Sequence, residues 1–163
     1  MFALANAPAA ARTALHAQLL EQARALLTGE RDATANAANL ASLIYHTLPD
    51  LNWAGFYWLK GEELVLGPFQ GKPACVRIAL GKGVCGTAAR ERRAIVVPDV
   101  HAFPGHIACD SASNSEVVVP VMQEGRVLGV LDLDSPLRGR FDEEDACALA
   151  SLVGAFVEMS DLG

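Results

Sequence analysis

Glu116-Val117-Val118-Val119-Pro120-Val121-Met122-Gln123-Glu124-Gly125-Arg126-Val127-Leu128-Gly129-Val130-Leu131-Asp132-Leu133-Asp134 contains two β-rich runs joined at Glu124-Gly125, the pattern of a β-hairpin. Strand alternation puts Asp132 and Asp134 on one face with Leu128 and Val130. Two acids on an otherwise core-like face are costly unless they border a polar cavity. The hairpin therefore predicts an antiparallel sheet that carries a polar site on one side.

Working upstream, Asp99 to Glu116 is too long and too polar for a simple turn. It holds His101, His106, Cys109, Asp110 and Glu116 among the small residues Gly105, Ala108, Ser111, Ala112 and Ser113. A connection of this length without obvious secondary structure is usually functional or disordered, and the density of reactive groups predicts a working loop. Ala94-Ile95-Val96-Val97 reads as the strand leading into it. Cys75 to Leu80 reads as another short strand, and Gly81-Lys82-Gly83-Val84-Cys85-Gly86-Thr87 opens a short helix running to about Arg92. The glycines do not make a P-loop, because no Gly-Lys-Ser/Thr follows. Cys85 falls in or near a first helical turn, where the helix dipole favours a thiolate. Asn52 to Lys60 reads as an aromatic-rich strand that turns at Gly61 into Leu64-Val65-Leu66. It places Trp53 and Tyr57 on one face, where plain core packing is the competing explanation.

The ends are helical. Leu15, Leu19, Ala23 and Leu26 mark an amphipathic helix from Pro8 to Leu27, and Ala33, Ala37, Leu40, Ile44 and Leu48 mark a second from about Asp32 to Thr47, stopped by Pro49-Asp50. Asp142 is the expected N-cap of a last helix whose buried stripe is Leu149, Leu152, Val153 and Phe156, with Cys147 on the other side. Hairpins flanked by terminal helices, without βαβ alternation, predict an α+β fold: a central antiparallel sheet with N- and C-terminal helices packed mainly on one face. Residues 1–163 read as one domain, with helices in 1–48, sheet and active-site loops in 52–136 and a C-terminal helix in 142–160. A chain of this size buries roughly 70% of its unfolded surface, so no metal or disulfide is needed to hold it.

The net charge of −6 supplies no basic footprint, so neither nucleic acid nor an anionic membrane is an expected partner. No run approaches the roughly 20 apolar residues of a membrane span. Met1 to Ala7 lacks the basic start and the longer apolar core of a signal peptide, so the expected location is cytoplasmic. There the four cysteines, Cys75, Cys85, Cys109 and Cys147, should be reduced at rest, and a disulfide should be transient and catalytic.

Three cysteines (Cys75, Cys85, Cys109), two histidines (His101, His106), three carboxylates (Glu116, Asp132, Asp134) and the Trp53/Tyr57 pair form the candidate site. A structural zinc site wants closely paired cysteines, which are absent, so no metal and no cofactor are expected. In a cysteine hydrolase, Cys109 would attack with His106 or His101 as base. His106 is only three residues from Cys109, however, and the other cysteines would be idle. Burial as inert core residues suits Cys109 poorly, because it lies in a polar loop beside Asp110. Thiol redox chemistry uses every part: a thiolate attacks an electrophile and becomes a sulfenic acid, and a second cysteine closes a disulfide that an external dithiol reopens. Neighbouring negative charges can keep one acid protonated as a proton donor, while ionised partners bind a cationic amine.

At these residues the chain resembles the GAF-domain free methionine-(R)-sulfoxide reductases. The resemblance is carried by Asn52-Trp53-Ala54-Gly55-Phe56-Tyr57, Gly67-Pro68-Phe69-Gln70-Gly71-Lys72 and Gly83-Val84-Cys85-Gly86-Thr87-Ala88. It continues through Phe103-Pro104-Gly105-His106-Ile107-Ala108-Cys109-Asp110, Ser113-Asn114-Ser115-Glu116 and Gly129-Val130-Leu131-Asp132-Leu133-Asp134-Ser135 to Phe141. It implies reduction of the R-sulfoxide of free methionine with thioredoxin as reductant. It further implies Cys109 as nucleophile, Cys75 as its resolving partner and Cys85 as a second recycling thiol. Trp53 and Tyr57 would embrace the methyl-sulfoxide end, and Glu116, Asp132 and Asp134 would face the sulfoxide oxygen and ammonium, with Glu116 or Asp134 as general acid. Backbone amides around Ile107 and Ala108 would take the carboxylate. Cys147 matches no motif residue. A GAF small-molecule sensor without catalysis is the alternative, although such a module has no need of three cysteines around a pocket. By analogy with GAF domains, a homodimer through the terminal helices is expected.

Overall fold

The hairpin at Glu124-Gly125 forms as its sequence requires. Both turn residues take positive φ, 51° and 79°, the combination whose twist matches paired strands. A computed structural model describes residues 9–107 and 109–163. In chain order the elements are α1 (Ala9–Leu27), α2 (Ala33–Thr47), β1 (Trp53–Lys60), β2 (Glu63–Gly71), β3 (Arg77–Ala79), α3 (Gly83–Glu91), β4 (Ile95–Val97), β5 (Ser115–Gln123), β6 (Arg126–Ser135) and α4 (Glu143–Met159). The strands make one 6-stranded sheet in the order β3-β2-β1-β6-β5-β4, and every neighbouring pair is antiparallel. Two hairpins, β1–β2 and β5–β6, thus meet edge to edge at β1–β6, which places β6 and its acids in the middle of the sheet.

The two faces do different work. Phe56, Val117, Val119, Leu131 and Leu133 point to the side covered by α1, α2 and α4, where they are buried with Leu19, Leu40, Ile44, Leu152 and Phe156. Phe56 and Phe156 lie 5.2 Å apart between ring centroids, and each such ring contributes about 1.5–3 kcal/mol by leaving water. The opposite face carries Trp53, Tyr57, Val118 and Val130, covered by Val84, Cys85 and Ala88 of α3. The expected α+β architecture is therefore observed, with three helices on one face and the short α3 on the other.

Capping follows the sequence closely. Asp32 accepts from the Ala35 amide at 2.8 Å, and Asp142 and Asp145 form a reciprocal capping box at the start of α4, satisfying amides that the helix itself leaves free. Asp145 Oδ1 also lies 3.1 Å from His16 Nε2, joining α1 to α4. Leu149, Leu152, Val153 and Phe156 are buried, and Cys147 is exposed, as expected.

Several details differ from the sequence reading. In α1 the buried stripe is Leu19, Ala23 and Leu27, whereas Leu26 is 43% exposed, because the i, i+4 row rather than the i+3 step meets the partner helices. Pro8, the expected start of that helix, and Met1 to Ala7 lie outside the described residues. Leu128 does not share a face with Val130. Val121 pairs with Gly129 and Met122 with Val127, so Leu128 is the extra residue of a β-bulge. It packs toward the helices, while Val127 takes the other side. β2 runs on to Gly71, well past the expected Leu66. Cys75 does not begin a strand; it precedes β3 in the segment after Gly71, where Pro73 has no amide to offer a ladder. The long loop contains a 3₁₀ turn, Val100–Ala102, capped by Asp99 through the His101 amide.

Candidate active site

Strand pairing assembles the acids. Glu116 on β5 lies opposite Asp134 on β6, and Asp132, two residues earlier on the same face, lies opposite Gly55 of β1. With no side chain on Gly55, the aromatic rings beside it can spread across the sheet. A Cβ there would come within 2.8 Å of Trp53 Cη2 and collide with Phe69. Trp53 accordingly stacks on Phe69 at 5.2 Å and faces Tyr57 at 5.8 Å. α3 brings the Cys85 thiol in from above, with its Sγ 4.0 Å from Glu116 Oε2. The loop before β5 brings His106, whose Nε2 is 3.7 Å from Glu116 Oε1.

The three acids, Trp53, Tyr57, Cys85 and His106 line one pocket of about 550 Å³ of empty space, part of it open to solvent, together with Lys72, Ile107, Cys109 and Asp110. Cys109 at its wall is bonded to Cys75 in a disulfide whose α-carbons are 5.7 Å apart. The segment carrying Cys75 is held from behind: the Tyr57 hydroxyl donates to the Cys75 carbonyl at 2.9 Å, and Trp53 Nε1 donates to the Lys72 carbonyl at 3.1 Å. The two rings thus position the disulfide segment as well as walling the pocket.

The electrostatics follow from burial without countercharge. Among the described residues no Lys or Arg lies within 4.0 Å of Glu116, Asp132 or Asp134, although the first two are buried. Burial first, and then repulsion from Asp134, raise the Glu116 carboxyl to about 8. Burial and the neighbouring carboxyls push Asp132 and Asp134 well above the usual carboxylate range. Asp132 Oδ1 is buried without a hydrogen-bond partner. Burial also lowers the His106 imidazole, so at 3.7 Å its approach to Glu116 is a neutral contact. The expected Cys85 thiolate is not what the structure holds. The residue lies in the first turn of α3, but burial, and then Asp132 and Glu116, push its thiol well up. A dipole effect of about 0.3–1 kcal/mol is outweighed by removal from water beside three acids.

Of the residues singled out in the sequence, Trp53, Tyr57, Cys85, Ile107, Cys109, Glu116, Asp132 and Asp134 meet around this pocket. Cys75 stands behind Cys109. Ala108 lies outside the described residues. His101 instead pairs with Asn114 Oδ1 at 3.1 Å on the exposed side of the loop, which removes it as a base for Cys109. Cys85, Glu116 and Asp132 present donor atoms all within 4.8 Å of one another, the arrangement among the described residues that could hold a metal ion.

A GAF domain family model matches residues 34–157. The free methionine-R-sulfoxide reductase of Escherichia coli is 51% identical over 142 residues, covering 87% of this chain and 86% of that protein. The chain belongs to the free methionine-R-sulfoxide reductases of the GAF fold. The family's yeast representative, from Saccharomyces cerevisiae, is 47% identical over 136 residues, covering 78% of this chain and 76% of its own length. The crystal structure of the Neisseria meningitidis free methionine-R-sulfoxide reductase in complex with its substrate superposes with a TM-score of 0.88 at 43% identity, covering 91% of this chain and 89% of that one.

Around this pocket, the supporting residues are the ones that sequence reasoning missed. Asn52 Nδ2 donates to Asp110 Oδ2 at 3.1 Å and to Ser113 Oγ at 3.0 Å, pinning the Cys109 loop to the start of β1. The Ala112 amide and then Asn52 hold Asp110 ionised, with help from Lys72. Gly83, with φ of +60°, lets α3 approach Ile107, which a Cβ would meet at 3.1 Å. Asn52 and Gly55 fall within the Asn52-Trp53-Ala54-Gly55-Phe56-Tyr57 stretch, but nothing local distinguishes a loop tether and a ring clearance from ordinary strand residues.

Proposed function

We propose that this protein reduces free L-methionine (R)-S-oxide to L-methionine. The observation that carries the reading is the Cys75–Cys109 disulfide at the wall of a pocket whose three carboxyls, among the described residues, have no lysine or arginine side chain in contact. In the reduced protein, the Cys109 thiolate attacks the sulfoxide sulfur. A protonated carboxyl, Glu116 or Asp134, gives its proton to the sulfoxide oxygen. The oxygen passes to Cys109 as a sulfenic acid and methionine leaves. The Cys75 thiol then displaces that oxygen as water and closes the disulfide, so one sulfoxide and two thiols become one thioether, one disulfide and one water.

Binding selects the free amino acid. The substrate ammonium provides the countercharge that Asp132 lacks, and on binding it draws the Asp132 proton off, while Glu116 or Asp134 keeps the proton that goes to the sulfoxide oxygen. Loop amides around Ile107 take the carboxylate, and Trp53 and Tyr57 hold the methyl-sulfoxide end. Cys109 is exposed, so an external dithiol of the thioredoxin class can reach the disulfide and reopen it, with Cys85 available as a second recycling thiol. The test is anaerobic mixing of the pre-reduced protein with one equivalent of free methionine (R)-sulfoxide. One methionine per chain should form while two thiols disappear, and Cys109→Ser should form none. Methionine appearing without thiol loss would overturn the mechanism.

A further inference from the structure

The carboxyls and the Cys85 thiol make a second kind of site besides the one assigned to an amine. We propose that Cys85 Sγ, a Glu116 carboxylate oxygen and an Asp132 carboxylate oxygen form a buried binding site for a divalent cation of the zinc class. The three donors come from α3, β5 and β6, so no sequence spacing announces them. They lie within 4.8 Å of one another, and Cys85 Sγ is already 4.0 Å from Glu116 Oε2. Zinc bonds of about 2.3 Å to sulfur and about 2.0–2.2 Å to oxygen set tetrahedral edges of about 3.6 Å, so side-chain adjustments of about 1 Å close the set.

An independent observation points to a ligand here. Asp132 is only 5% exposed; its carboxyl is engaged by Glu116 and the Cys85 thiol, the other two donors of the set, while its Oδ1 has no hydrogen-bond partner, a state that is costly unless something electropositive is supplied. His106 Nε2 lies outside that three-donor cluster but only 3.7 Å from Glu116 Oε1, so a change of its side-chain rotamer can add a fourth donor. The mixture of thiolate, carboxylates and imidazole suits Zn²⁺ and its neighbours and suits Mg²⁺ or Ca²⁺ poorly, since those want oxygen alone. Taking up the ion releases the Cys85 thiol proton and the carboxylic protons to solvent.

A cation so placed occupies the carboxylates assigned to the substrate ammonium and inhibits turnover. That consequence rests on the function proposed above, whereas the binding site itself does not, and the closing experiment reads binding alone. It uses the full chain with the Cys75–Cys109 disulfide closed and Cys147→Ser in the background, which leaves Cys85 as the sole free thiol. Cobalt(II) is the probe. One equivalent should produce a near-ultraviolet thiolate-to-cobalt charge-transfer band with the visible bands of a tetrahedral ion, both displaced by zinc. Cys85→Ser should abolish the charge-transfer band. Asp132→Asn, which keeps the thiol and so guards against a misfolded serine variant, should weaken cobalt binding by at least the about 10–100-fold that lost outer-shell partners cost. Cobalt bound without a thiolate band, a band that survives Cys85→Ser, or an affinity unchanged by Asp132→Asn would overturn the site.

Discussion

Glu116→Gln should stabilise the substrate-free protein, and only at higher pH. The Glu116 carboxyl titrates at about 8 in the fold against an ordinary value of 4.5. As pH rises through that window the unfolded chain releases its proton first, so the unfolded state binds fewer protons and stability falls. Below the unfolded value both states are protonated and the cost vanishes; above the folded value it is complete. The interval of about 3.5 units, at about 1.36 kcal/mol each, amounts to a cost on the order of 5 kcal/mol. Glutamine keeps the shape and a donor without the charge. Because Asp132 and Asp134 share the repulsion and ionise more readily once Glu116 is neutral, part of the gain returns to them, leaving an expected increase of about 2–5 kcal/mol at pH 8. With a urea dependence of about 2 kcal/mol per molar, the midpoint moves up by about 1–2.5 M. The assay is urea unfolding followed by the fluorescence of Trp53 and Trp58, with the disulfide intact, at pH 4, 6 and 8. Equal midpoints for variant and parent at pH 8, or a gain of the same size at all three pH values, would refute the argument that uncompensated burial sets this carboxyl.

Gly55→Ala forces a methyl group into Phe69 and Trp53, so it should destabilise by about 1–3 kcal/mol and raise KM more than it lowers kcat. Steady-state kinetics alongside thermal unfolding separate the two effects. N-acetyl and peptide-bound methionine sulfoxide should react at least about 100-fold more slowly in kcat/KM than the free amino acid, because removing one partner of a buried charge pair costs about 3–5 kcal/mol. Comparable rates would remove the ammonium from the carboxyl site. Cys75→Ser should still release about one methionine per chain in a burst, since oxygen transfer needs only Cys109, and thioredoxin-driven cycling should then collapse. Cys85→Ser, run in parallel, should keep cycling, and a stall after one turnover there would move the resolving role to Cys85.

What was legible in the sequence is what a few neighbouring residues determine. The Glu124-Gly125 turn, the Asp142 cap, the buried stripe of α4 and the alternation that puts Asp132 and Asp134 on one face are all local. So was the resemblance carried by the motifs around Trp53, Cys85 and Cys109, and each of these is found in the structure. The tertiary structure alone decided the rest, because those properties are set by neighbours from other elements. Cys85 begins a helix and so reads as a thiolate, yet β5 and β6 surround it with acids and remove its water, and desolvation exceeds the dipole. Leu128 obeys alternation until a bulge against β5 turns it to the helices. Cys75 and Cys109 lie far apart in sequence and come within 5.7 Å at their α-carbons because the pairing of β2 with β1 and of β6 with β5 brings both loops to one edge of the pocket. The donor set of Cys85, Glu116 and Asp132 has no sequence spacing at all. A pattern in sequence determines which way a side chain points; its proton and its ligand depend on the dielectric and the charges that folding gathers around it.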